Sequence, residues 1–476
     1  MNGKCYILNN GLYLVYDGNS VKEVEPYIPT IAISKDPAGG GTAYEDFNLL
    51  GSGFKETFSA DGEASEFQLS VGGLDGTPVK VSVAGYQDSV EGVHFTVDRI
   101  LGKVKFPGAV VKGTNNLTIT AYKTFNGFAD RIKKCRFHTI FGGSNDTRVF
   151  LGGNPNMPEY VWRSGLYDPS YFPENGFYKF PDHVRGFAKQ YDYLVVERAN
   201  GKHQVSYTID ANGSASFPSK PINDQVGTLA PKSIQIVENN PVSLSKNGVY
   251  MLVSSTVRDE RNVKHISAAI DNSLLREKNL EQAISIDYDK KYWLALNGNV
   301  YVFDYAIGEW YVYDNVYASH FEVVNNELYF TSSRDGLLYR FKTETDSRPY
   351  NDDEQPIRCR WKSKHFTFGA DELKKLVEKV YFGLKPQSKT SVNLYYVSNK
   401  KTSDLIKTTR MDLLDFRNIN FDHWTFNLSV FPRESVAKIK AKKVTHFQLI
   451  MTNDELDEGL GLLSIGIKHK LQSAVK

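Results

Sequence analysis

Apolar residues fall at every second position through much of this chain. Between residues 54 and 124, Phe67-Gln68-Leu69, Val79-Lys80-Val81-Ser82-Val83, Phe95-Thr96-Val97, Val104-Lys105-Phe106 and Leu117-Thr118-Ile119-Thr120-Ala121 all alternate. A period of two places one set of side chains on one face of a pleat, so these runs predict half-buried antiparallel strands. Leu74-Asp75-Gly76 and residues 98–102 and 112–116 supply the turns. Five or six such strands make a small β-sandwich or barrel over residues 54–124. Upstream, Cys5–Leu8, Leu12–Tyr16 and Val21–Tyr27 read as strands. The turns between them, Asn9-Asn10-Gly11 and Asp17-Gly18-Asn19, suit positive φ. Residues 35–53, KDPAGGGTAYEDFNLLGSG, are glycine-rich and aperiodic, and predict a linker or long loop.

From residue 125 to about 350 the chain repeats itself. AISIDYDKKYWLALNGNVYVFDYAIGEWYVYDN at 283–315 and ASHFEVVNNELYFTSSRDGLLYRF at 318–341 share one scheme. A strand, a polar turn (Asp289-Lys290 or Asn325-Asn326), an aromatic strand, a glycine turn and a further aromatic strand follow in order. Looser copies begin near Arg136, Val184 and Lys232, and Tyr6–Tyr27 fits the later part. Residues 1–40 and 125–350 leave room for about six units of the 40–50-residue period of four-stranded propeller blades. The expected body is a six-bladed β-propeller with the 54–124 module inserted after its first strands. The N-terminal strands would complete the blade begun by the last repeat and so remove an exposed edge. A run of separate β-sandwiches is the competing architecture.

Residues 346–356, DSRPYNDDEQP, read as an acidic, proline-bounded linker to a C-terminal module over 357–476. Its predicted strands are Val380–Leu384, Ser391–Val397, Thr425–Val430, Thr445–Met451 and Leu463–His469. Asp371–Glu378, DELKKLVE, is rich in helix formers and predicts two helical turns. The module is expected to be another β-sandwich carrying that short helix.

Composition agrees with an all-β chain: 28 Phe and 28 Tyr stand against 5 Met, and aromatics suit pleated surfaces. Charge sharpens the division. Residues 357–476 hold 22 basic and 12 acidic residues, net +10, whereas residues 1–356 hold 35 and 43, net −8. A basic module on an acidic body points to a polyanionic or acidic partner, or to a solvated face that keeps the module soluble. Three well-separated cysteines, Cys5, Cys135 and Cys359, predict neither a disulfide framework nor a zinc knuckle. The start, MNGKCYILNN, has no apolar h-region and no apolar run reaches 18 residues. The expectation is a protein made in a cytosol without signal peptide or membrane span.

Residue patterns that carry chemistry are sparse in this sequence. Asp287-Tyr288-Asp289 starts like a calcium loop, but Lys291 takes the next ligand position and a strand-end turn is expected. Ten dispersed histidines, none paired at helical spacing, exclude a helical metal site; His138 reads as an outward strand residue. Ser333-Arg334-Asp335-Gly336 is similar to the Asp-box hairpin of sialidases but lacks its spacer, and predicts a plain type I′ turn. No cofactor and no catalytic residue is expected.

One segment carries a resemblance. Residues 150–186, FLGGNPNMPEYVWRSGLYDPSYFPENGFYKFPDHVRG, resemble a blade of the packaged-DNA stabilisation proteins of tailed bacteriophages, also called tail nozzle or tail hub proteins. Phe137–Gly143 and Tyr193–Glu197 fit the same blade pair. The 54–124 module is similar to small β modules of phage tail and neck proteins. Phe366-Thr367-Phe368-Gly369 and Thr445–Leu449 resemble the group's C-terminal β domain. The likeness is specific around Gly152–Pro173 and architectural elsewhere.

That resemblance implies a non-enzymatic virion protein, assembled in the host cytoplasm. It would form a ring of six copies below the portal, retain packaged double-stranded DNA by non-specific contacts and continue the ejection channel. Its partners would be further copies of itself, the portal or adaptor ring and other tail proteins. Lys362, Lys364, Lys374, Lys375, Lys438, Lys440, Lys442 and Lys443 are the candidate interface or channel residues, since alternation puts Lys438 and Lys440 on one strand face. The alternative is a tail-tip propeller that binds a receptor or glycan, with Tyr160, Trp162, Tyr167 and Tyr171 stacking on sugars. A propeller glycosidase is a third reading, which would need paired carboxylates.

Overall fold

The computed structural model describes residues 1–476 except 2, 10, 84, 85, 144, 210, 212, 214, 255–261, 344, 345, 347, 388, 400, 415, 417–424, 428–430, 475 and 476. Strands take 53% of the chain and helices 4%. The chain is all-β and divides into two compact units, Met1–Tyr339 and Arg340–Lys476.

Within the first unit, six antiparallel sheets follow one another along the chain. The first has three strands, Cys5–Asn9, Leu12–Tyr16 and Val21–Glu23. Four-stranded sheets then start at Phe137, Val184, Gln235 and Ile284, close to the repeat starts expected from sequence. The sixth sheet has three strands, Ala318–Val324, Glu327–Ser332 and Leu338–Arg340. The first strands of the second to sixth sheets pack successively on one another. Buried apolar residues such as Phe150, Val161, Leu194 and Val196 fill the space between the second and third sheets. Both polar turns of the repeat have positive φ at both central residues, +49° and +55° at Asp289 and Lys290, +52° and +63° at Asn325 and Asn326. That is the type I′ geometry that matches strand twist.

The N-terminal strands do not complete the last repeat's blade as expected. They form a sheet of their own, and among the described residues none of their strands pairs with the sixth sheet. The reason is local. Tyr13, Val24, Leu49 and Leu50 bury their side chains with Ile132, Leu151, Trp162 and Phe172, which commits the first sheet to the second.

The inserted strands build a six-stranded sheet in the order Thr42–Ala43, Thr30–Lys35, Gly53–Ala60, Gly113–Tyr122, Lys80–Val83, Tyr86–Ser89, beside a three-stranded one. Its core is aromatic, with Phe54, Phe58, Phe67 and Phe95 at most 2% exposed. Burying each such side chain stabilises by roughly 1.5–3 kcal/mol. The residues read as a linker over 35–53 contain part of this sheet: Thr42–Ala43 pairs with Thr30–Lys35, whose last residue lies in that stretch and which runs parallel to Gly53–Ala60. Non-local pairing recruits them, which no local periodicity could signal.

In the second unit a five-stranded and a three-stranded sheet enclose one core that includes Val380, Phe382, Leu394, Ile439, Phe447 and Leu449. The expected helix over Asp371–Glu378 is absent. Leu373–Leu384 is instead the central strand of the three-stranded sheet, flanked by Arg433–Val444 and Leu462–Ala474. Val377, Val380, Phe382 and Leu384 are buried in that core, so tertiary burial overrides the helical propensity of the Glu-Leu-Lys-Lys run. The expected strand Thr425–Val430 lies partly outside the described residues, and 425–427 are not strand.

Candidate functional site

The outward face of the three-stranded sheet carries the densest basic constellation. Along Arg433–Val444, Ala437, Ile439 and Ala441 are buried while Lys438, Lys440 and Lys442 are exposed. The register places Lys379 of the central strand opposite Lys438 on one side and Lys468 on the other. Three lysines therefore form one lateral row across the sheet, and like charges placed directly opposite destabilise a sheet. Relief is partial. Glu378 accepts a hydrogen bond from Lys470 Nζ at 2.8 Å and lies 3.9 Å from Lys468 Nζ. The Lys470 contact holds the Glu378 carboxyl below the usual carboxylate range.

The eight expected lysines do not form one site. Lys438, Lys440 and Lys442 share the basic face, and Lys374 is half-buried on its central strand. Lys443 is exposed beside them, in left-handed backbone with φ +57°. Lys362 ends the strand Cys359–Lys362 of the other sheet, and Lys364 follows it; both are exposed. Because the two sheets share one core, these two lysines belong to a different surface. Lys375 must be withdrawn as an interface residue. It is fully buried, and its Nζ donates to the carbonyl oxygens of Ala370 and Thr445. Those carbonyls satisfy the ammonium that the core would otherwise leave unsolvated. Sequence reading missed Lys379, Lys468 and Lys470, although the alternation Ile465-Gly466-Ile467-Lys468-His469-Lys470 carried the signal.

Nor do the four aromatic residues of the glycan reading make a platform. Trp162 is 1% exposed in the core, with Tyr160 stacked on it at 5.8 Å. Its burial removes the open ring face that a sugar needs. Tyr171 is half-buried, and its hydroxyl donates to the Asp46 carbonyl at 3.0 Å; burial pushes its phenol pKa up. Tyr167 is exposed, with φ +53°.

His265, Ser267 and Asp271 lie together: Ser267 Oγ is 3.2 Å from His265 Nε2 and donates to Asp271 Oδ1 at 2.6 Å. The hydroxyl is fully buried and also accepts from the Val249 amide at 2.7 Å. Its bonding is spent on anchoring the turn, and a nucleophile held this way has no approach for a substrate. Asp335 accepts from the Leu337 amide at 3.0 Å and the Tyr339 hydroxyl at 3.0 Å, so it organises its own loop. Only Gly336 in that loop has positive φ, so the turn is not the expected type I′. His138 is exposed on its strand. Among the described residues no cluster of His, Cys, Asp and Glu could hold a metal ion, and no helix is long and apolar enough to cross a membrane.

No family model matches the chain, and no curated protein matches it. Solved structures give faint likenesses. The extracellular domain assigned to a hybrid two-component system from B. thetaiotaomicron aligns at 16% identity and a TM-score of 0.28, over 43% of this chain and 26% of that one. The chain thus spans about a quarter of that protein's length. The AfRom2 CNH domain aligns at 10% identity and a TM-score of 0.29, over 71% and 92%. An exo-β-1,3-galactanase from Phanerochaete chrysosporium aligns at 11% identity and a TM-score of 0.19, over 92% and 99%.

Proposed function

We propose that this chain is a structural virion protein of a tailed phage, with no catalytic role. It assembles as a six-copy ring below the portal, helps retain packaged DNA and continues the ejection channel. The six consecutive sheets are the blades of a propeller-like body, a reading supported by the successive packing of their first strands. The observation that carries the proposal is the row Lys438, Lys379 and Lys468 with Lys440, Lys442 and Lys470 around it. A sheet face that tolerates such a row gains from an acidic partner. The acidic surface of residues 1–356 in a neighbouring copy, net −8, supplies one, and head-to-tail pairing of unlike surfaces closes a ring. Contacts to DNA in such a channel are weak and sequence-independent, which lets the duplex slide.

Negative-stain microscopy of the purified chain tests this. Ring particles at low salt, loosening as salt screens the contacts, are the expected result. The variant with Lys438, Lys440, Lys442 and Lys468 all changed to Gln should remain folded and fail to form rings. Monomers under every condition, or rings indifferent both to salt and to that variant, would overturn the reading.

A further inference from the structure

The third sheet of the first unit carries a groove that the ring reading does not use. Tyr193, Gln204, Ser206, Tyr207, Thr208, Pro218, Ser219 and Lys220 line a space of about 420 Å³, within the roughly 300–1,000 Å³ of ligand pockets. The groove lies where the small hairpin Thr208–Ile209 and Ala215–Ser216 leaves the sheet. Gln204 pairs with Val195 on one side and Lys220 on the other, so these three share one face of the sheet, and Gln204 lines the groove. It is 2% exposed, and its amide oxygen has no hydrogen-bond partner among the described residues. A buried acceptor left unpaired is costly, so this oxygen calls for a donor from outside the chain.

We propose that this groove binds a carbohydrate. Sugar rings present C–H faces that pack on aromatic rings and hydroxyls that give and take hydrogen bonds. The lining includes Tyr193 and Tyr207, the hydroxyl-bearing Ser206, Thr208 and Ser219, the Gln204 amide, Pro218 and the cationic Lys220, with no carboxylate. The Tyr207 wall is held in place. Its ring packs on Phe217 at 5.4 Å and 62°, and Gly143, at φ +79°, lies so close that an added Cβ would come within 3.0–3.2 Å of the ring. A wall fixed before binding loses little entropy when the ligand arrives. The proposal does not depend on ring assembly, since every lining residue belongs to one copy.

The test is a glycan array probed with the full chain, followed by calorimetric titration with the sugar retained most strongly. Tyr193→Ala and Gln204→Leu should each weaken binding about tenfold or more. Tyr193→Ala, which truncates a half-buried side chain at the groove, should lower the thermal unfolding midpoint by no more than a few degrees and keep the strand-rich dichroism spectrum, whereas Tyr193→Phe, which keeps the ring, should retain binding; together these separate lost binding from lost folding. An array on which no sugar is retained overturns the proposal. So does a retained sugar whose affinity survives both substitutions.

Discussion

Lys438 stands directly opposite Lys379 in the antiparallel register of Arg433–Val444 and Leu373–Leu384. Both side chains lie on the outer face, and Lys468 extends the row on the far side. In the free chain this juxtaposition is repulsive. Lys438→Gln should therefore raise stability by about 0.2–1 kcal/mol, read as a higher urea midpoint, while weakening the association of copies. A single substitution that stabilises the monomer and loosens the assembly would mark the face as built for a partner. Loss of stability instead would mean that the row is already compensated within the chain.

The six-stranded sheet holds a buried ion pair between two of its strands. Lys35 Nζ meets Glu56 Oε2 at 2.5 Å, with side chains 2% and 0% exposed. Glu56 also accepts from the Ser70 amide at 3.0 Å, and Lys35 donates to Ser70 Oγ at 2.9 Å. Removing one partner strands a buried charge, so Glu56→Gln should cost about 3–5 kcal/mol. The double change Lys35→Met with Glu56→Leu removes both charges and should recover most of that loss. Denaturant unfolding of the three proteins checks it, and equal losses in single and double variants would contradict the argument.

A pH dependence follows from Glu91. Arg99 Nη1 lies 2.5 Å from its carboxylate and the Val79 amide donates to it at 2.8 Å. The Arg99 hydrogen bond first, then the Val79 amide, hold this carboxyl below its ordinary value despite partial burial. A carboxyl whose folded value is depressed stabilises the fold above its unfolded value, and that contribution disappears as pH falls through the folded one. The stability gap between the parent and Glu91→Gln should thus be full at neutral pH and close on acidification. A gap constant across the carboxylate range would rule this out.

Strands and turns were legible because their causes are local. The alternation along 67–69, 79–83 and 117–121 and the polar pairs Asp289-Lys290 and Asn325-Asn326 act within a few residues of themselves. Val380–Leu384 was read correctly as strand, but its extension back to Leu373 was misread because Asp371–Glu378 has helical composition, while the side chains that hold the strand extended arrive from Ile439, Phe447 and Leu449. Lys375 was misplaced for the same reason, since one of its carbonyl partners, Thr445, lies 70 residues away. Of the basic face, Lys438, Lys440 and Lys442 were visible in the sequence. The row itself needed the register that sets Lys379 and Lys468 beside Lys438.

The strands of the six-stranded sheet come from two stretches of chain, 30–43 and 53–122, and this decides how that sheet can be removed. Thr30–Lys35 and Thr42–Ala43 belong to its sheet, yet Asn48 between them and Gly53 returns to the body. Asn48 Nδ2 donates to the carbonyls of Tyr27 and Ser170, and its Oδ1 accepts from the Phe172 amide. Excising 54–124 alone removes the strand partner of Thr30–Lys35 and uncovers Ile31 and Ala32, which are 8% and 7% exposed in the intact chain. That deletion should give insoluble or aggregating protein, because an unpaired apolar edge recruits other strands. Excising 30–43 as well should restore a folded body. Both joins are short: the Glu45 amide bonds the Thr30 carbonyl at 3.0 Å, and the Lys123 amide bonds the Ser52 carbonyl at 2.8 Å. Brief glycine linkers from 29 to 44 and from 52 to 123 therefore span little distance. Size-exclusion chromatography and circular dichroism of the two deletions distinguish the cases. A soluble, strand-rich product from the single excision, or none from the double, would show that the domain is joined to the body differently.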